Sequence, residues 1–241
     1  MNKLKVEVWS DIVCPFCYIG KRHYELALSQ FAMADEFELE FKSFQLDPHF
    51  QYPTDEKYDL KKGLAEKYNK TEVEIEIMQQ HIMETAKAVG LHFDFENSYR
   101  FNTQNAHRIL HKAKDKGLST EMADSFFSSY LEQCKNLAKT EMLKEVAINN
   151  GLSSEEVDQA LEDDSFAYRV QQDMQEASQL GISAVPFFVF NRKYGVSGAQ
   201  PVEVFLKTMQ QAHQDWKRSI SPNIEIIGQN ENTCDVDGNC Q

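Results

Sequence analysis

Apolar and polar positions alternate in different ways along the chain, and these changes divide it into segments. The apolar run at residues 4–9 predicts a buried strand, and the period-two alternation at residues 37–44 predicts a second strand. A helical pattern between them extends to about Met33. Because a strand, a crossover helix and a second strand form a right-handed unit, we expect the two strands to pair in parallel.

From about residue 60 to residue 180 the period is helical throughout. Two capping boxes, Thr71 with Glu74 and Ser153 with Glu156, predict helix starts. Glycines at positions 90, 117, 151 and 181 predict helix ends. In the first capped helix the periodicity assigns an apolar stripe to the core: Val73, Ile77, Ile82, Ala86 and Val89. This long helical stretch predicts an all-α insertion between two sheet-forming segments.

Strand signals return at residues 182–190, followed by a turn and a hairpin strand at residues 194–198. A final amphipathic helix begins at Pro201. A proline inside a central strand loses a ladder hydrogen bond, so Pro186 is expected at the strand start. A cis bond there would turn the backbone groups of Val185 outward, where they can pair with an extended peptide. A trans proline that merely begins the strand is the alternative.

The composition limits the partners and the compartment. The net charge of −13 over 241 residues argues against nucleic acid or an anionic membrane as the main partner. No apolar run approaches the length of a membrane span, and no signal-peptide pattern precedes the first strand. We therefore expect a cytoplasmic protein, in which paired cysteines are more often catalytic, sensing or metal-binding than structural.

The chemistry centres on Cys14, Pro15, Phe16 and Cys17, which join the first strand to the first helix. The helix N-terminus favours a thiolate on Cys14, and Pro15 suits the first turn because its missing N–H would have no helical partner. Cys17, one turn lower, can resolve a mixed disulfide. Two reduced core cysteines or half of a zinc site are the alternatives for this motif.

The other cysteines are Cys134, Cys234 and Cys240. Cys134 is expected to be a buried or half-buried residue without a partner. Cys234 and Cys240 frame five residues and can form an auxiliary redox pair that reaches the first pair; a frayed terminus is the alternative. A four-cysteine zinc site would combine both pairs, although the five-residue gap is wider than usual.

Several segments together resemble the FrnE-like branch of the DsbA family of thiol–disulfide oxidoreductases. They are residues 9–20 (WSDIVCPFCYIG), 43–48 (SFQLDP), 105–108 (NAHR), 181–189 (GISAVPFFV) and 196–201 (VSGAQP). The resemblance covers residues 4 to about 217 and implies an α/β thioredoxin fold with an inserted helical domain. It divides the chain into residues 1–58 and 182–218 of the thioredoxin-like domain, the helical insertion 59–181 and the tail 219–241.

The resemblance also implies roles for individual residues. It makes Cys14 the attacking thiol, Cys17 the resolving thiol and Pro186 a cis-proline. The candidate substrate-binding residues beside them are Val185, Pro15 and Phe16. Kappa-class glutathione transferases and 2-hydroxychromene-2-carboxylate isomerases share this architecture but typically carry serine at the first position. The presence of both cysteines favours redox chemistry, and a non-catalytic binding module is a further alternative.

The expected partners are thiol or disulfide proteins, with glutathione as a further candidate, and the two thiols need no cofactor or metal. Phe16 supplies no cation, which favours a moderate oxidant or an isomerase over a strong oxidase. Asp11 is a candidate proton relay for Cys17, with a helix N-cap as the alternative. His107 and Arg108 either face the active-site cleft, as the resemblance implies, or form surface salt bridges. The oligomeric state is not predicted.

Overall fold

The computed structural model describes residues 3–51 and 59–220, and it contains a four-stranded sheet in the order β2-β1-β3-β4. The strands are β1 (Leu4–Ser10), β2 (Phe37–Ser43), β3 (Phe187–Phe190) and β4 (Tyr194–Ser197). β1 and β2 pair in parallel, as predicted, whereas β1 with β3 and β3 with β4 are antiparallel. β1 is therefore a central strand, and six of its seven residues are buried.

One helix follows β1, seven helices lie between β2 and β3, and a last helix follows β4 and ends the described residues. They are α1 (Pro15–Ser29), α2 (Leu60–Tyr68), α3 (Glu72–Lys87), α4 (Gln104–Asp115), α5 (Ser119–Leu131), α6 (Thr140–Asn149), α7 (Ser154–Glu162), α8 (Asp164–Gln179) and α9 (Val202–Ile220). A short 3-10 helix, Ala34–Glu36, precedes β2. Within the described residues no helix is both long and apolar enough to span a membrane.

One face of the sheet packs against α1 and α9 through aromatic side chains. Tyr24 of α1 stacks on Phe188 of β3 with ring centroids 5.9 Å apart, and Phe205 of α9 meets Phe188 edge-on at 4.9 Å. All three side chains are buried. Burial of each aromatic side chain contributes roughly 1.5–3 kcal/mol, so this cluster fixes α1, and with it the CxxC segment, against the sheet.

The other face of the sheet is closed by α8. Trp9 and Val189 pack with Ala177, and the Trp9 indole N–H donates to the Asp173 carbonyl at 3.0 Å. The Asp173 carboxylate accepts the backbone N–H of Ser43 at 2.8 Å, which joins α8 directly to β2. The helical insertion is therefore tied to the sheet by both apolar packing and a buried carboxylate.

The helix boundaries follow the local signals closely. Both predicted capping boxes, at Thr71 and at Ser153, are present with their side-chain and backbone hydrogen bonds. The four predicted stop glycines all have positive φ, the conformation that glycine adopts without steric cost. The first helix, however, ends at Ser29 and not near Met33.

The predicted core stripe of α3 is wrong in part. Val73 and Ile77 are 67% and 60% exposed, whereas Ile75 and Ala86 are buried. The buried positions form a different stripe that includes Gln79, a polar residue that apolar periodicity does not select. α3 packs mainly against α2 and α1, and these tertiary contacts bury the face with Ile75 and Gln79 and not the predicted face with Val73 and Ile77.

Candidate active site

Cys14 occupies the N-cap of α1 and Pro15 begins the helix. The Cys14 N–H donates to the Asp11 carbonyl at 3.0 Å, and the Cys17 N–H donates to the Cys14 carbonyl at 3.0 Å. Both cysteines are buried free thiols. The Cys14 sulfur therefore lies at the positive end of the helix, where the first N–H groups favour a negative charge.

The loop before β3 lies directly across from Cys14. The Val185–Pro186 peptide bond is cis, and the Cys14 thiol donates to the Val185 carbonyl at 3.7 Å. Gly20 of α1 allows this loop to approach, because a Cβ there would lie 3.0 Å from Pro186 Cγ. The strand begins at Phe187, so it starts later than the apolar run alone predicts.

Cys17 has a different electrostatic environment. Burial raises its pKa well above the usual value, and the adjacent Cys14 sulfur raises it further. The nearby Ser10 hydroxyl and Asp11 backbone act in the opposite direction and lower this pKa, but burial outweighs them. Cys17 is therefore a protonated thiol at neutral pH, and it needs a proton acceptor before it can act as a nucleophile.

Asp11 is buried between the sheet and the helical insertion. Its Oδ2 accepts the Leu46 N–H at 2.8 Å, and its Oδ1 lies 3.3 Å from His107 Nε2. The N-cap alternative for Asp11 is wrong, because Cys14 occupies the N-cap and no side chain caps α1. The carboxyl group instead bridges the loop after β2 to helix α4.

His107 and Arg108 separate in the structure. His107 is buried against Asp11, whereas Arg108 donates to the carbonyls of Ala160 and Asp163 at 2.8 and 3.1 Å. Arg108 thus ties α4 to the end of α7, and among the described residues it forms neither the cleft contact nor the surface salt bridge considered from the sequence. Adjacent residues on a helix point about 100° apart, so only one of the two can face the site.

A cavity of about 210 Å³, here called the outer cavity, opens beside Cys14 between the CxxC turn and helices α2 and α3. Its wall is mostly apolar, and its charged members are Asp11, Asp47, Lys67 and Arg100. Phe16 and Leu46 also line it and are each 41% exposed. An apolar group attached to a sulfur can therefore be held next to the Cys14 thiol.

Sequence reasoning missed a second polar cluster, formed by Ser43, His111 and Asp173. His111 Nε2 lies 3.1 Å from Ser43 Oγ and 3.2 Å from Asp173 Oδ2. Burial lowers the pKa of His111. Burial opposes ionisation of Asp173, but hydrogen bonds from His111 and the Ser43 N–H, with the Lys42 charge, lower its pKa to about 2. The spacing of His107 and His111, one helical turn apart, is the signal that would have indicated this cluster.

The remaining cysteines lie away from this geometry or outside the described residues. Cys134 is half-buried, and its thiol donates to the Asp94 carbonyl at 3.3 Å. Cys234 and Cys240 lie outside the described residues, so the predicted auxiliary pair has no structural description. Within residues 3–51 and 59–220 no three His, Cys, Asp or Glu side chains are grouped as metal ligands.

Comparison with known proteins identifies the class. Residues 5–210 match the DSBA-like thioredoxin domain, and the chain belongs to this family of thiol–disulfide oxidoreductases. It is 35% identical to a probable DsbA oxidoreductase from Streptomyces coelicolor, whose crystal structure aligns over 99% of this chain and 98% of that one with a TM-score of 0.82. The predicted thioredoxin-like fold with a helical insertion is confirmed.

Two further relatives are more distant. The uncharacterized protein YwbO of Bacillus subtilis is 27% identical over 206 residues, which are 85% of this chain and 94% of that protein. The cytosolic disulfide reductase DsbM from Pseudomonas aeruginosa, in a structure with GSH, aligns over 90% of this chain and 99% of that one. Its identity is 15% and its TM-score 0.59, so this likeness concerns the fold alone.

Proposed function

We propose that this chain is a thiol–disulfide oxidoreductase or disulfide isomerase of the FrnE-like branch that acts through Cys14 and Cys17. One observation carries the proposal: Cys14 lies at a helix N-terminus against the Val185 carbonyl, with the protonated Cys17 buried one turn away. The two sulfurs differ in their position on the helix and in their surroundings, as an attacking and a resolving thiol must.

The exchange proceeds in two displacements. The Cys14 thiolate attacks a substrate disulfide, a Cys14–substrate disulfide forms, and one substrate thiolate leaves. Cys17 then loses its proton and attacks the Cys14 sulfur, which forms the Cys14–Cys17 disulfide and releases the second substrate thiolate. The protein loses two electrons and the substrate disulfide gains them; the reverse sequence oxidises a substrate dithiol.

The surroundings of Cys14 support an apolar substrate segment. Phe16 and Leu46 are exposed beside the outer cavity, and Tyr68 and Met78, also exposed, lie on its helical side. An extended segment of a protein substrate can place apolar side chains there while its backbone meets Val185. Glutathione is a smaller candidate substrate for the same thiol pair, and its charged groups would rely on Lys67 and Arg100.

The direct test is to trap the mixed disulfide. Cys17→Ser should accumulate a covalent complex with a disulfide-containing substrate protein, because the resolving thiol is missing, whereas Cys14→Ser should form none. Cys134→Ser is the matched control, since it removes a half-buried thiol outside the pair. Complexes that form equally in Cys14→Ser, or that disappear in Cys134→Ser, would refute the proposal.

A glutathione-dependent isomerase or transferase is the second candidate, because the outer cavity is large and apolar enough to hold part of an aromatic substrate. Such an enzyme would bind glutathione saturably and would keep its activity in Cys14→Ser. Loss of all activity in that variant supports the redox proposal.

The auxiliary role of Cys234 and Cys240 is a separate proposal. If the pair shuttles electrons to Cys14 and Cys17, joint replacement of Cys234 and Cys240 by serine should slow turnover but leave single-turnover trapping at Cys14 intact. Zinc that copurifies with the intact chain and leaves with this double variant would instead indicate the four-cysteine site.

A further inference from the structure

The outer cavity beside Cys14 has an apolar wall that contains three buried, uncharged polar side chains. Gln79 of α3, Thr103 at the start of α4 and Tyr130 of α5 all line it, and they are 8%, 3% and 3% exposed. The apolar side chains around them include Ile75, Ile82, Phe95 and Phe101. A mostly apolar pocket with a few placed polar groups is the usual composition of a small-molecule site.

The polar atoms of these three side chains have no hydrogen-bond partner among residues 3–51 and 59–220. Thr103 occupies the N-cap of α4 without capping it, and Tyr130 contacts Phe101 through its ring and not its hydroxyl. None of the three is among the described side chains whose unpaired polar atoms are shut off from free space. Their polar groups therefore remain available to a molecule bound in the cavity.

Gln79 is the least expected of the three residues. α3 leaves Val73 and Ile77 exposed and buries this glutamine in their place. An amide carries two donor hydrogens and an acceptor oxygen, and its burial without partners costs free energy that an aliphatic side chain would not lose. Packing alone does not favour glutamine here, whereas a hydrogen bond to a bound molecule offsets that cost.

The charged residues of the outer cavity balance one another. Lys67 lies 3.8 Å from Asp47, and Arg100 pairs with the same carboxylate. The Asp11 carboxylate is already hydrogen-bonded within the protein. Two cations and two carboxylates leave the lining without a net charge, so it favours an uncharged group over an anion inside the cavity.

The volume of the outer cavity, about 210 Å³, limits the size of that molecule. An apolar protein cavity of about 150 Å³ is large enough to bind benzene. The outer cavity can therefore hold one aromatic ring with a polar substituent, but not a peptide segment. Because Cys14 is part of its wall, a ring attached to the sulfur that exchanges with Cys14 can occupy it.

We propose that the outer cavity binds a small, uncharged thiol or disulfide whose aromatic or apolar body carries a carboxamide-like group, and that Gln79, Thr103 and Tyr130 hydrogen-bond this group. An amide and two hydroxyls match a group that both donates and accepts. This inference rests on the proposed function and names its substrate class. The three residues bind the body of the substrate and take no part in the exchange between sulfur atoms.

The test compares two diphenyl disulfides of similar shape, one with a para carboxamide on each ring and one with a para isopropyl group. In stopped flow, the Cys14 thiolate of the reduced protein displaces one aryl thiolate, which is followed by its absorbance. Each rate is divided by the rate of the same disulfide with dithiothreitol, which corrects for the leaving group. We expect the wild type to prefer the carboxamide about 10- to 100-fold.

Gln79→Leu removes the amide at similar volume and keeps a good helix former on α3. It should lower the preference about 10-fold through a slower reaction of the carboxamide, without slowing the isopropyl compound. Tyr130→Phe removes only a hydroxyl, should lower the preference in the same direction, and tests the site through a second residue if Gln79→Leu fails to fold. The melting temperature of Tyr130→Phe should equal that of the wild type, because the hydroxyl loses no partner within the protein.

Gln80→Leu is the matched control, because Gln80 is the next residue on α3, is exposed and does not line the outer cavity. Gln79 and Gln80 both border the neighbouring groove at Asp94 and Glu96, so this control also tests whether Gln79 acts there. It should leave both rates unchanged. Equal loss of preference in Gln80→Leu would overturn the inference, as would a wild-type preference that persists in folded Gln79→Leu and Tyr130→Phe.

The same assay separates this inference from the proposed function. Cys14→Ser should lose the reaction with both disulfides. A wild-type protein that releases no aryl thiolate would refute the proposed function itself. A wild type that reacts with both disulfides without preference would leave the proposed function intact and refute only the carboxamide-binding role of the outer cavity.

Discussion

The Asp173 carboxylate offers a quantitative test of how the helical insertion is held on the sheet. It is buried on α8 and accepts hydrogen bonds from the Ser43 N–H and from Lys42. These contacts, with His111, lower its pKa from 3.8 to about 2 against the effect of burial. A shift of that size corresponds to about 2 kcal/mol of folding free energy at neutral pH.

The pH dependence of this stabilisation follows from the direction in which the Asp173 pKa is shifted. Because the folded-state pKa lies below the unfolded value, the stabilisation is complete above about pH 5 and is lost as the pH falls towards 2. Asp173→Asn removes the charge but keeps an amide oxygen of similar shape. In urea unfolding at pH 7, the free energy of unfolding of the wild type should exceed that of this variant by at least about 2 kcal/mol. At pH 3 this difference should be smaller by about 1 kcal/mol.

Glu38→Gln is the control for a change of one charge, because Glu38 is exposed on β2. It should change stability by less than about 0.5 kcal/mol at either pH. A difference between wild type and Asp173→Asn that does not vary between pH 7 and pH 3 would refute the reasoning, because it would mean that the carboxylate titrates alike in the folded and unfolded chain.

Three further predictions concern packing, capping and thiol reactivity. Gly20→Ala should slightly lower the melting temperature. A Cβ at 3.0 Å from the Pro186 ring costs about 1–3 kcal/mol, whereas the higher helix propensity of alanine stabilises by only about 1 kcal/mol. A variant more stable than the wild type would argue against this close packing. Thr71→Ala should lower the unfolding free energy by about 1 kcal/mol through loss of the capping box without changing thiol exchange, and unchanged stability would show that the cap does not matter. In the reduced protein at pH 7, iodoacetamide should label Cys17 more slowly than Cys134 by peptide mapping, because Cys17 is more deeply buried and has a raised pKa; faster labelling of Cys17 would contradict that environment.

Much of the fold could be predicted because its signals are local. The alternation in β2, the capping boxes at Thr71 and Ser153 and the stop glycines all act within a few residues, and the structure follows them. The stripe of α3 could not be predicted, because the face that it buries depends on where α1 and α2 lie and not on its own periodicity.

The candidate site also contains residues that the sequence indicates and residues that only the fold brings together. The sequence predicts Cys14 and Cys17 as a pair because their spacing before a helix is visible in it, whereas the cis bond at Pro186 was implied by the family resemblance and is present in the structure. Asp173 accepts the Ser43 N–H across 130 residues of sequence, and His111 joins this pair only because the fold brings α4 beside β2. Polar residues of these types are common on surfaces, so their role becomes visible only when long-range packing brings them together.

The central claim is that Cys14 and Cys17 form a working dithiol–disulfide couple, and equilibration in glutathione redox buffers tests it most directly. We predict a single two-electron transition for this pair at a potential between about −200 and −270 mV, lost in Cys14→Ser and in Cys17→Ser and kept in Cys134→Ser. A wild-type protein with no two-electron transition assigned to Cys14 and Cys17, or a transition that survives in Cys14→Ser, would contradict the account.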